Sequence, residues 1–121
     1  MKRDITLYIK DMLENMSDAE QFVGQMTYRQ FTRDKKTNFA VARSIEIIGE
    51  AAKHIPAEIR KKYPVIPWKD IAGMRDKIIH FYFGINLERV WIVVKKDIPD
   101  LRPHIKKVLK WLQAKKSSKW K

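Results

Sequence analysis

The sequence predicts an all-α protein, an antiparallel up-and-down bundle of four to five main helices. Three observations predict it. Apolar residues recur at steps of three and four along almost the whole chain, the spacing of one helix face. The interruptions carry helix caps, glycine or proline rather than the turn dipeptides of hairpins. No strand pair and no internal repeat competes with this reading. With 121 residues, 45% of them hydrophobic, the chain can bury one core without disulfides. We place a helical domain at residues 1–114 and a basic flexible tail at 115–121.

From Ile5 the first stripe runs through Tyr8, Ile9, Met12, Leu13, Met16, Ala19, Phe22 and Val23, a helix of about six turns that Gly24 ends. "SDAE" at 17–20 matches a capping box, but the stripe passes straight through it. "TYRQ" at 27–30 is a better one, opening a short turn that docks Phe31. "RDKKTN" reads as a charged connector. A second long helix follows from about Thr37 to His54, with Val41, Ile45, Ile48 and Ala52 inward, and Pro56 ends it. Gly49 in its middle costs stability relative to Ala, which predicts close helix packing there. "AEIRKKY" forms a short helix, and "PVIPW" is extended because its prolines restrict the residues before them. Pro67 opens a helix that runs to about Gly84. Asn86 caps "LERVWIVVKKD", and Pro99 breaks or kinks that helix. Leu101, Ile105, Val108, Leu109 and Leu112 mark the last amphipathic helix.

The net charge is +12, from 26 Lys plus Arg against 14 Asp plus Glu. It favours a polyanionic partner: RNA, DNA, an acidic protein or a lipid surface. A lysine-rich surface also serves stability at high temperature. The absence of cysteine excludes disulfides and thiolate metal sites. "MKRDITLYIKDMLENM" has no apolar h-region, and no apolar run approaches the roughly 18 residues of a membrane span. The expected location is cytoplasmic, with no membrane partner.

The segment richest in chemistry is "GMRDKIIHFYFG", residues 73–84. On a helix turning roughly 100° per residue, Arg75, Asp76, His80 and Tyr82 share one side, and Ile71, Met74, Ile78 and Phe81 lie behind them. Asp76 and His80 are i and i+4, so the carboxylate would orient the imidazole. Arg75 and Tyr82 would stack two turns apart. A guanidinium recognises phosphate oxygens and an imidazole moves protons near neutral pH. Together they suit cleavage of a phosphodiester beside a ribose 2′-OH. The same spacing fits an ordinary surface pair, with Arg75 bridging to a neighbouring helix.

Arg75-Asp76-Lys-Ile-Ile-His80-Phe-Tyr82 resembles the Arg-x4-His-x-Tyr motif of HepT-like proteins, ribonuclease toxins of the HEPN superfamily. "ARSIEIIGEAAKHIP", "YPVIPWKDIAGMRDKIIHFYFGINLERVW" and "KKDIPDLRPHI" resemble successive blocks of that family in order, so the likeness covers about residues 4–113. The resemblance implies a HEPN-like homodimer with two motif copies at the mouth of a cleft. It implies RNA cleavage without metal or cofactor, with Arg75 and His80 as the catalytic pair and Asp76 in support. It further implies a minimal nucleotidyltransferase antitoxin that adenylylates Tyr82. The residues themselves add one point: cleavage needs a base and an acid, and the motif offers one histidine per chain, which a two-fold dimer would double. A non-catalytic scaffold binding nucleotide or the nucleotidyltransferase is the alternative, and a plain nucleic-acid-binding module a third.

Outside the motif, Glu46 or Glu50 would either hold the Arg75 guanidinium or form a solvated acidic edge. His54 suits a helix C-terminus, His104 the surface, and Trp68 and Trp91 the core or an interface. Lys77, Lys106 and Lys110 are candidate RNA-backbone contacts, which give affinity without sequence choice. The basic tail meets either RNA or an acidic antitoxin. Trp120 would stack on a base or belong to a disordered end.

Overall fold

Side-chain caps start four of the helices. The structure, a computed structural model, describes residues 3–80 and 84–118. Helix α1 (Ile5–Val23) starts at Asp4, whose carboxylate accepts from the Thr6 N–H. It passes through "SDAE" unbroken and stops at Gly24, where φ is 53°, a conformation that a Cβ would strain. Thr27 and Gln30 form the reciprocal capping box of α2 (Tyr28–Arg33), and Phe31 is fully buried. The charged run that follows is not a connector. Asp34 alone separates α2 from α3 (Lys35–Lys53), because its carboxylate accepts from the Thr37 N–H at 3.0 Å and starts the helix at once.

His54 caps α3, and Pro56 opens the short α4 (Ala57–Lys62). Residues 63–67 are folded into a turn rather than extended. The Ile66 N–H and the Trp68 indole N–H both donate to the Tyr63 carbonyl, at 3.2 and 3.1 Å. Next come α5 (Trp68–Ala72) and α6 (Met74–Ile78), then a two-residue antiparallel pair, β1 (Ile79–His80) with β2 (Gly84–Ile85). The sequence reading had one helix here and no strand pair. Helix α7 (Leu87–Ile92), capped by Asn86, runs through a π-helical turn (Val93–Asp97) into α8 (Ile98–Ser118). Pro99 does not break this rod. It sits in the first turn of α8, and the widened π turn before it absorbs the missing N–H donor. Lys115 and Lys116, expected in the tail, lie in α8.

The fold is all-α, with α1, α3 and α8 as its long members. Tyr8 near the start of α1 stacks on His54 at the end of α3, so these two run antiparallel. Helix α8 runs antiparallel to α1 as well: Asp4 pairs with Lys116 at one end, and Glu20 takes the two terminal nitrogens of Arg102 at the other. Between the three lie Ile9, Met12, Met16, Val41, Ile45, Ile48, Ile105 and Val108, all essentially inaccessible. Helices α5 and α6 pack across α3. Gly49 makes this possible, since a Cβ there would stand 3.1 Å from the Ile71 carbonyl oxygen. Among the described residues, no helix is long and apolar enough to cross a membrane.

Candidate active site

Helix α6 presents the motif. Met74 and Ile78 are buried, while Arg75 and Asp76 face solvent as the expected arcs have them, though only as far as α6 runs; Lys77 is exposed as well. The close approach at Gly49 sets α6 beside α3. The result is a pair between elements far apart in sequence: the Arg75 Nε donates to Glu46 Oε2 at 3.2 Å. The same oxygen lies 3.8 Å from Arg43 Nη1, so one carboxylate stands between two guanidinium groups. Binding through Nε leaves the terminal nitrogens of Arg75 without a partner among the described residues. Those are the nitrogens that a phosphate would take bidentately.

Glu50, one turn further on, is not part of this arrangement. It pairs with Lys53 at 3.2 Å. Lys77 lies 3.9 Å from Asp70. Lys106 and Lys110 are exposed on α8, and no hydrogen bond or ion pair among the described residues ties them to α6.

His80 is exposed, but not on the helix. The chain leaves α6 at Ile79, whose φ of −112° and ψ of 120° are extended. The Asn86 N–H then donates to the Ile78 carbonyl at 2.6 Å, and His80 comes to lie opposite Gly84. One expectation changes with this. Asp76 and His80 are not helical neighbours, and Asp76 makes no ion pair or hydrogen bond among the described residues. The expected stack of Arg75 and Tyr82 falls on a residue outside those described. Tyr82 and Phe81 themselves lie outside the described residues, as does Trp120. The β-branched pair Ile78–Ile79 is the local signal for this exit, since such residues favour extended backbone. Gly84 is the second signal: its φ is 77°, and a Cβ there would meet nothing, so its role is the backbone conformation.

A separate cavity of about 270 Å3 lies between α5, α6, α7 and the start of α8, and Glu46 does not line it. Asp97 and Arg89 line it, residues that the sequence reading passed over. Among the described residues, no three His, Cys, Asp or Glu side chains gather where they would hold a metal ion. Elsewhere, Trp68 is buried, Trp91 packs against Tyr28 and Phe31, and His104 is half-buried rather than a surface residue.

Residues 12–108 match the family described as ribonuclease HepT-like. A Methanocaldococcus jannaschii protein provisionally named as an RNase is 46% identical over 114 residues, 94% of each chain. A Thermococcus cleftensis protein named "Probable ribonuclease HepT" is 44% identical over 110 residues, 91% of this chain and 100% of that one. A Caldanaerobacter subterraneus protein, also provisionally named as an RNase, is 41% identical over 102 residues, 84% of this chain and 91% of the other. No solved structure matches. The chain belongs to the HepT-like ribonuclease family, and with it to a class of RNA-cleaving enzymes.

Proposed function

We propose that the protein is a metal-independent endoribonuclease and the toxin of a toxin–antitoxin pair, with Arg75 and His80 as its catalytic residues. The observation that carries this reading is the Glu46–Arg75 pair, which holds the guanidinium by Nε and leaves its phosphate-binding edge to solvent, one short extended step from an exposed His80. In the proposed step the imidazole takes the proton of a ribose 2′-OH. The 2′ oxygen attacks phosphorus, the P–O5′ bond breaks, and the departing O5′ takes a proton from an acid. Arg75 stabilises the extra negative charge on the phosphoryl oxygens.

Each chain brings one motif histidine, so the acid comes from the second copy in a homodimer. Phe39 supports that pairing. It is 56% exposed on α3, seven residues before Glu46, with Lys35 Nζ 5.9 Å from its ring, and would be the apolar contact of that pairing. Lys77, Lys106 and Lys110 would steer and hold the RNA backbone. The antitoxin of this reading is a nucleotidyltransferase that transfers AMP to Tyr82. The added phosphate would compete with RNA for Arg75.

The test is RNA cleavage in the presence of a chelator. The parent protein is expected to cut, and Arg75→Ala and His80→Ala to lose at least about a hundredfold in rate, the scale of one lost electrostatic or acid–base group. Variants that cut as fast as the parent would refute the assignment. Binding without cleavage by the parent would favour the scaffold reading.

A further inference from the structure

The cavity behind α6 has a composition that the cleavage chemistry does not use. Ile71, Met74 and Leu101 give it apolar walls. Arg89 and Lys77 bring positive charge, and Asp97 and Asp100 negative. Asp70 lines it too and lies 3.9 Å from Lys77, whereas Arg89, Asp97 and Asp100 form no side-chain hydrogen bond or ion pair among the described residues. Opposite charges that line one hollow and stay apart leave room for something between them.

Asp97 is the most informative of them. Val90, Val94, Ile98 and Leu101 are buried along one stripe. Asp97 closes the π turn, three residues after Val94 and directly before Ile98, a polar side chain set between buried positions. It is half-buried, at the end of the π turn, and among the described residues it lacks the partner that a carboxylate removed from water needs. Departures from local rules of this kind collect at functional sites.

We propose that this cavity is a base-recognition subsite that takes a guanine of the RNA substrate. The inference rests on the ribonuclease reading and adds its specificity. The volume, about 270 Å3, is just below the ~300 Å3 at which pockets for whole small molecules begin, and so suits one base with its sugar and phosphate outside. The apolar walls cover the faces of the ring. Carboxylates only accept hydrogen bonds, and guanine is the base that presents two adjacent donors, N1–H and the N2 amino group, to a single carboxylate. Adenine and cytosine place a ring acceptor beside their amino group, and uracil flanks its one N–H with two carbonyls. Each would set a lone pair against Asp97 or Asp100. Lys77 and Arg89 stand at the same hollow for the flanking phosphates.

The Met74 methyl group reports on this cavity directly. Methionine-methyl NMR of the full chain, with Met74→Leu to assign the signal, follows titrations with the 5′-monophosphates of guanosine, inosine and adenosine. Guanosine monophosphate is expected to move the Met74 signal and to bind at least about tenfold more tightly than the other two, the weight of a lost charge-assisted bond. Asp97→Asn and Asp100→Asn should each erase most of that difference. Neither carboxylate has a partner among the described residues to lose, and unchanged thermal unfolding would show that both variants fold. In parallel, cleavage of a random-sequence RNA should show guanine enriched at one fixed position from the cut. An unmoved Met74 signal, equal affinity for the three nucleotides, or cutting without base preference would overturn the guanine site. A protein that cuts RNA while Met74 stays still sinks this subsite and leaves the ribonuclease standing. One that binds guanosine monophosphate through Asp97 yet cuts nothing does the reverse.

Discussion

Replacing Glu46 separates two roles that its contact with Arg75 would otherwise blend. The pair is 3.2 Å long, with the Arg75 side chain 58% exposed and that of Glu46 21% exposed. In surroundings between protein surface and bulk water, the gross attraction at that distance is about 1–5 kcal/mol. Desolvation and side-chain ordering reduce the net stability of such pairs to below about 1 kcal/mol. Glu46→Gln should therefore lower Tm by only a few degrees, given about 4 °C per kcal/mol for a domain of this size. Catalysis should respond more strongly. Without the charge that fixes Nε, the guanidinium samples other rotamers, and a misplacement of about 1 Å costs on the order of a hundredfold. We expect Glu46→Gln, which keeps an acceptor oxygen, to lose about tenfold in kcat, and Glu46→Ala about a hundredfold. The assay is steady-state cleavage of a short RNA, with kcat and KM measured separately and Tm recorded on the same samples. Glu50→Gln is the control, since Glu50 pairs with Lys53 and not with Arg75. Unchanged kcat in Glu46→Ala, or a kcat loss matched by unfolding at the assay temperature, would refute a positioning role.

Gly84→Ala should cost about 1 kcal/mol through its φ of 77° alone and should lower activity by loosening the strand that opposes His80; unfolding curves that overlay the parent would contradict this. Gly49→Val places branched carbons against the Ile71 carbonyl, so a loss of about 1–3 kcal/mol is expected by chemical denaturation, with a fall in kcat as α6 shifts from α3. The Thr37 N–H holds the Asp34 carboxyl below its ordinary value of 3.8. Its cap therefore contributes fully above that pH and is lost as pH falls through the lowered folded value, so the Tm gap between the parent and Asp34→Ala should close below about pH 3.8. A gap that stays constant from pH 7 to pH 3 would count against the cap. If the proposed homodimer pairs through exposed Phe39, Phe39→Asp should give a monomer by light scattering and abolish cleavage together with it; a parent that is itself monomeric, or a variant that stays dimeric, would refute this pairing.

What was legible in the sequence was what local chemistry decides. The end of α1 at Gly24, the capping box at Thr27 and the cap at Asn86 each rest on a few neighbouring atoms, and all three stand where they were read. Gly49 was legible as a packing glycine because a helix rarely keeps one without a neighbour to admit. Glu46 was legible only as one of two choices. Whether it or Glu50 meets Arg75 depends on where α5 and α6 cross α3, which no local pattern records. The same holds for Asp34, whose capping role was hidden by the basic residues around it, and for the turn at residues 63–67, which depends on Trp68 reaching back to Tyr63.

The exit of the chain at Ile79 carries the largest consequence of these. Apolar spacing continued through the motif, so a helix was the natural reading, and Asp76 then seemed the partner of His80. The bond from Asn86 to Ile78 closes the segment instead and turns His80 onto a two-residue strand opposite Gly84. A histidine on a helix beside a carboxylate is fixed and tuned by it. A histidine on a short strand, with no carboxylate paired to it among the described residues, is open to whatever approaches the exposed surface. Arg75, by contrast, is anchored within its own protomer by Glu46. On the proposed reading the two motif residues differ in their supports: Glu46 anchors Arg75 within its own chain, and a second copy would complete His80. If the chain pairs as proposed, loss of that dimer should silence His80 while leaving Arg75 able to hold phosphate.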